Sequence, residues 1–129
     1  MGRSVLVIVL GFVLIGAFSI GADALVHHLV PGAFDAAGGT TSVPVLVLTL
    51  AYVGVFAVAG CYLTARLAAR RPMAHALVLG GLGQVLNVLG TVAAWATAPA
   101  WYHVVALVTV MPYAWLGGRL RERQVQRTA

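Results

Sequence analysis

Arg66-Leu67-Ala68-Ala69-Arg70-Arg71-Pro72 separates two long apolar runs, and its reading decides the fold. Neither residues 43–65 before it nor residues 73–97 after it contain Asp, Glu, Lys or Arg. Moving a guanidinium across hydrocarbon is costly, so arginines beside apolar spans stay on the cytoplasmic side. Three arginines packed between two such runs therefore mark a cytoplasmic turn joining two membrane spans.

Outward from this turn, the other arginines are Arg3 at the start and Arg119, Arg121, Arg123 and Arg127 at the end. All three basic sites share one side if the chain crosses four times, and the apolar runs are four: 5–30, 43–65, 73–97 and 102–118. A hydrocarbon core ~30 Å thick needs about 20 helical residues, which these runs approach or exceed. Unpaired backbone groups are intolerable in lipid, so the spans are helices. The expectation is an all-α polytopic membrane protein: a single four-transmembrane-helix antiparallel bundle over 1–129, both termini cytoplasmic, with 119–129 a basic cytoplasmic tail. The implied setting is a bacterial cytoplasmic (inner) membrane.

Composition agrees. Apolar residues make up 61% and charged residues 9%, against roughly 25% charged in ordinary globular domains, too few for a soluble surface. The net charge of +5 comes from arginines flanking apolar runs. It implies topology, with the lipid bilayer as partner and no nucleic acid. The single cysteine, Cys61, lies inside a span and excludes an internal disulfide.

Local signals fit the same plan. Pro31, Gly32, Gly38 and Gly39 break the first outer connection, Pro72 opens the third helix, and Ala98-Pro99-Ala100 makes a tight outer turn. Trp95, Trp101 and Tyr102 mark the outer interface, Tyr62 and Trp115 the inner one. Pro112 bends the fourth span and frees the carbonyl of Val108. Arg3, an apolar stretch and Ala22-Asp23-Ala24 also have the form of a secretory signal cleaved after Ala24. The apolar stretch, however, outlasts a signal core of ~7–15 residues and continues through Leu25 and Val26, so the first run is expected to stay as a span.

Small residues define helix faces. Ala76, Gly80, Gly83, Asn87, Gly90 and Ala94 step by four and three along the third span, and Gly54, Ala57, Cys61, Thr64 and Ala68 do so along the second. A seven-residue period keeps a stripe against a neighbour, and small residues let backbones approach, so these two seams are expected to pack together. The amides Gln84 and Asn87 lie near mid-membrane, where interhelical hydrogen bonding is their expected use.

Asp23 is the only acid within a span, on one face with Gly16, Ser19 and His27. An ionisable group in a membrane helix is a functional candidate. Its ordinary alternative is an interfacial pair with His27 at i+4. The candidate ion or proton site is Asp23, His27 and His103, with Tyr52 and Thr91 as further helpers. His27 and His103, at similar depth, also suit a haem, and Asp23, His27 or His28, and His103 suit zinc or copper by ligand type. No cofactor is expected and no metal site is assigned. No nucleophile with a base and an orienting group is visible, and Asp35 and Glu122 fall on opposite sides, so no catalytic residue is assigned and the protein is not expected to be an enzyme.

Gly60-Cys61-Tyr62-Leu63-Thr64-Ala65-Arg66-Leu67-Ala68, Arg71-Pro72-Met73-Ala74-His75-Ala76, Pro99-Ala100-Trp101-Tyr102 and Leu116-Gly117-Gly118-Arg119-Leu120 resemble a group of small uncharacterised bacterial four-span inner-membrane proteins. The likeness covers the carboxyl-terminal half, with Cys61 where the group often has a second glycine. It implies location and topology and carries no active site. Size and span count also resemble the small multidrug resistance exporters, which use a carboxylate in the middle of the first helix. Here residues 11–16 hold no acid, and Asp23 lies further out. Three functions follow as expectations: a non-catalytic helix-packing component, homo-oligomeric or part of a larger membrane complex; a small proton- or cation-coupled transporter using Asp23; or a haem- or metal-binding bundle through the outer histidines.

Overall fold

The computed structural model describes residues 2–68 and 70–129. It is all-helical: α1 (Gly2–Leu29), α2 (Val43–Leu67), α3 (Pro72–Ala93) and α4 (Ala100–Thr128), with short 3₁₀ turns at Pro31–Ala33 and Trp95–Thr97. Three helices, α1, α2 and α3, are long and apolar enough to cross a membrane. α4 is not among them, because Tyr102, His103, Thr109, Pro112 and Tyr113 dilute its apolar run before the arginines begin.

Helix ends differ from the sequence expectation at two places. The third helix stops at Ala93 rather than near Thr97, since the chain there turns into a 3₁₀ segment whose carbonyls find other donors. Thr97 bonds the Ala94 carbonyl through both its amide and its hydroxyl, at 3.0 and 2.7 Å. The fourth helix runs through Pro112 and on to Thr128, so the basic tail is helical. Arg, Glu and Gln are good helix formers, and Arg119 and Glu122 form an exposed i,i+3 pair at 3.4 Å.

Close approaches between small residues set the register. A β-carbon on Gly11 of α1 would lie 2.0 Å from Thr64 Oγ1 of α2, and one on Gly60 would lie 2.2 Å from Ile15 of α1. These pairs run in opposite senses along the chain, so α1 and α2 are antiparallel. Ala76 lies beside Gly118, Gly80 against Ala114, and Asn87 Nδ2 donates to the Ala106 carbonyl at 3.0 Å, making α3 and α4 antiparallel. Gly54 against Tyr113 and Gly117 against Cys61 make α2 and α4 parallel neighbours. The core where these meet contains Cys61, Ala65, Ala76, Leu79 and Ala114.

This register corrects the expected pairing of the two seams. On α3, Ala76, Gly80, Gly83 and Asn87 face α4, while Gly90 is exposed with nothing within 4 Å of its would-be β-carbon. The α2 stripe also turns toward α4 through Gly54 and Cys61, and toward α1 through Thr64; Ala57 is half-buried. The physical reason lies in α4: Gly117 and Gly118 are small themselves, and they draw that helix into the groove between the two stripes.

Candidate functional site

The polar layer lies at the end of the bundle where α1 leaves and α2 enters. Asp23 sits six residues before the end of α1, and Tyr52 lies level with it on α2 because those helices are antiparallel. The Tyr52 hydroxyl donates to Asp23 Oδ1 and lies 3.3 Å from Thr49 Oγ1. Thr49 spends its own proton on the Val45 carbonyl at 3.0 Å. The acid is therefore held by a phenol from the neighbouring helix rather than by its expected i+4 partner.

His27 bonds the backbone of Asp23, not its carboxylate: Nδ1 donates to the carbonyl at 3.0 Å. Its ring stacks on Phe34 with centroids 3.6 Å apart and planes 20° apart, which turns it toward the α1–α2 connection. His103 is 5% exposed, and its Nε2 donates to the Trp95 carbonyl at 3.2 Å. Trp95 stacks on it at 5.0 Å and Tyr102 meets it edge-on. A carbonyl partner fixes the protonated nitrogen of each ring, so both imidazoles hold corners of the fold. Asp23, His27 and His103 do not converge, and no three His, Cys, Asp or Glu side chains group to hold a metal ion among the described residues. Neither ring has the free, facing geometry of an axial haem ligand.

The α1–α2 and α3–α4 connections lie at this end of the bundle. Asp35 Oδ1 accepts the amides of Ala37 and Gly39 at 2.8 and 2.9 Å, a turn in which Gly38 takes φ of 79°. Thr40 then bonds the Thr97 carbonyl at 2.9 Å through its amide, tying the α1–α2 connection to the α3–α4 connection. Toward the bundle centre, Phe18 of α1 and Phe56 of α2 meet at 5.6 Å one turn below Asp23 and Tyr52. Ser19 Oγ, next to Phe18 in the chain, and Gln84 Oε1 of α3 are buried without hydrogen-bond partners.

At the opposite end Arg3, Arg66, Arg70, Arg71, Arg119 and Arg123 are exposed and Arg121 is half-buried. His75 of α3 donates from Nδ1 to the Arg71 carbonyl at 3.1 Å. Sequence reasoning missed the groove of about 890 Å³ between α2 and α4 that opens at this end, lined by Ala51, Val55, Ala59, Tyr62, Arg123 and Arg127 among others. Its only trace in the sequence is the small-residue text on both helices, which does not say how far apart they stay. In comparisons with protein-family models, curated proteins and solved structures, no match to this chain was found.

Proposed function

We propose that the chain is a non-catalytic, four-span component of a bacterial inner membrane, with both termini cytoplasmic, that works by packing helices against further copies of itself. The carrying observation is the outer face of α3. Val78, Leu82, Val85, Leu89 and Val92 step by four and three along it and are 52%, 48%, 59%, 59% and 75% exposed. The opposite face of the same helix is already used against α4. A second seven-residue stripe, outward and unfilled, has the period by which helices pair at a shallow left-handed angle.

Span four belongs to this reading through its faces. α4 turns His103, Ala114, Gly117 and Gly118 inward and presents Val104, Val108, Met111, Trp115 and Leu116 outward. That outward side suits lipid although the helix as a whole is less apolar than the other three. The three arginine sites then fall on one side, as the cost of moving guanidinium demands.

The test is disulfide trapping in native membranes, with Cys61→Ser removing the natural thiol. Val85→Cys is expected to give a covalent dimer on mild oxidation, and Val108→Cys, on the α4 outer face, is not. A protein that runs as a monomer in light scattering and cross-links at neither position overturns the proposal.

One observation favours a second reading, a proton- or cation-coupled transporter. The Asp23–Tyr52 layer has the unpartnered Ser19 hydroxyl one helical turn deeper on the same face of α1. In proteoliposomes this reading requires a pH-driven flux that Asp23→Asn abolishes.

A further inference from the structure

The groove between α2 and α4 has an apolar length and a cationic end. Its walls are Ala51, Val55, Val58 and Ala59 from α2 and Leu120 from α4; its basic end is Tyr62, Arg123, Gln124 and Arg127. The groove exists because Gly117 pulls α4 onto Val58 and Tyr62, Gly54 receives the Tyr113 ring, and the small Ala51 and Ala59 leave the space beside them unfilled.

The donor set at the basic end is one-sided. The Tyr62 hydroxyl donates to Gln124 Oε1 at 2.6 Å, which uses the amide's acceptor and leaves its NH₂ free. Beside it stand two exposed guanidinium groups, and no carboxylate lines the groove. Glu122, the only acid in the same stretch, pairs with Arg119. What remains is a cluster of N–H donors, matched by a phosphate oxygen cluster through charge-assisted and forked hydrogen bonds.

Length selects among phosphates. Ala51 to Tyr62 covers eleven helical steps, about 16 Å at ~1.5 Å each, close to half of the ~30 Å hydrocarbon core. An acyl chain of one leaflet has that reach, and a headgroup above it meets the arginines. A second copy of this chain offers no match: Asp23 and Asp35 lie at the other end of the bundle, and Glu122 is already paired.

We infer that this groove binds one anionic phospholipid, its phosphate held by Arg123, Arg127 and the Gln124 amide and one acyl chain lying along Ala51–Ala59 against Leu120. The inference rests on the membrane reading but not on oligomerisation or on Asp23. It gives the arginines of the tail a ligand as well as a topological role, since basic clusters beside spans recognise anionic headgroups.

Native mass spectrometry of the detergent-purified protein tests it, with phosphatidylglycerol, phosphatidylethanolamine of the same chains, and inorganic phosphate as probes. Phosphatidylglycerol is expected to be retained on the order of tenfold better than phosphatidylethanolamine. Arg123→Gln with Arg127→Gln is expected to abolish the preference; Arg70→Gln with Arg121→Gln, an equal loss of charge outside the groove that leaves the Arg119–Glu122 pair intact, keeps it. Ala59→Phe, which fills the apolar part and leaves the arginines in place, is expected to lower retention of both lipids. Equal retention of the two lipids by the unaltered protein, an undiminished preference in the Arg123/Arg127 variant, or displacement of the lipid by inorganic phosphate alone overturns the inference. Failure of the membrane reading is seen separately, as failure to enter lipid nanodiscs.

Discussion

Gly117→Ala probes the tightest helix contact that involves backbone on both sides. A β-carbon there would lie 2.7 Å from Cys61 Cβ, 2.7 Å from the Val58 carbonyl oxygen and 2.8 Å from the Tyr62 amide nitrogen. Ordinary van der Waals contact begins at 3.4 Å, so α2 and α4 must part by about 0.7 Å. Two of the three obstacles are main-chain atoms of α2 and cannot rotate away. Overpacking of this kind costs about 1–3 kcal/mol, while replacing a helical glycine by alanine returns up to ~1 kcal/mol of propensity. The expected net loss is about 1–2 kcal/mol, a factor of roughly 5–30 in the folded-to-unfolded ratio. Gly81→Ala is the control: no atom lies within 4 Å of its would-be β-carbon, so only the propensity gain applies. Reversible unfolding by SDS titration in mixed micelles measures both. If Gly117→Ala is as stable as Gly81→Ala, then α4 does not pack on α2 at this position, and the register built on Gly54, Cys61 and Gly117 is wrong.

Two further outcomes follow from the polar groups. Tyr52→Phe removes the donor to Asp23 and is expected to cost about 1–2 kcal/mol in the same titration, below the ~3 kcal/mol of a fully buried charged hydrogen bond because the site is part-exposed; a double cycle with Asp23→Asn that gives zero coupling removes the contact. The two amides of α3 should behave oppositely: Asn87→Leu loses the bond to the Ala106 carbonyl and destabilises by about 0.6–1.7 kcal/mol, whereas Gln84→Leu replaces a buried unpartnered oxygen and stabilises. Equal and same-signed shifts for the pair refute that assignment.

The helices and their connections were legible because they depend on local rules. The break between the second and third apolar runs, Pro72 at the start of α3 and the small residues at the helix contacts each follow from short stretches of text: proline lacks the N–H that a helix interior needs, and small side chains let backbones approach. Which stripe meets which was not legible, because Gly80 and Gly54 announce only that something approaches closely. That both stripes face α4 depends on Gly117 and Gly118, and Gly117 lies 37 residues from Gly80 and 63 from Gly54. At the site, Asp23 was visible as the one acid in a span, and Tyr52 as a helper. The geometry of the histidines was hidden for a different reason: His103 and His27 are satisfied by backbone carbonyls, and a carbonyl leaves no signature in a sequence.

The turn between α2 and α3 shows how charge and conformation pull against each other at one residue. Arg71 has φ of 52° and ψ of 61°, the only non-glycine residue at positive φ among those described, and it precedes a proline. That left-handed geometry costs an L-residue roughly 1–2 kcal/mol, and the following pyrrolidine disfavours helical backbone further. A glycine would relieve the strain, yet the position holds a third guanidinium beside Arg66 and Arg70. The Arg71 carbonyl meanwhile receives both the amide and the ring nitrogen of His75, at 3.3 and 3.1 Å, which anchors the first turn of α3 in the geometry that the strain requires. The turn is thus held by these hydrogen bonds, and an arginine stands where backbone preference alone would select glycine.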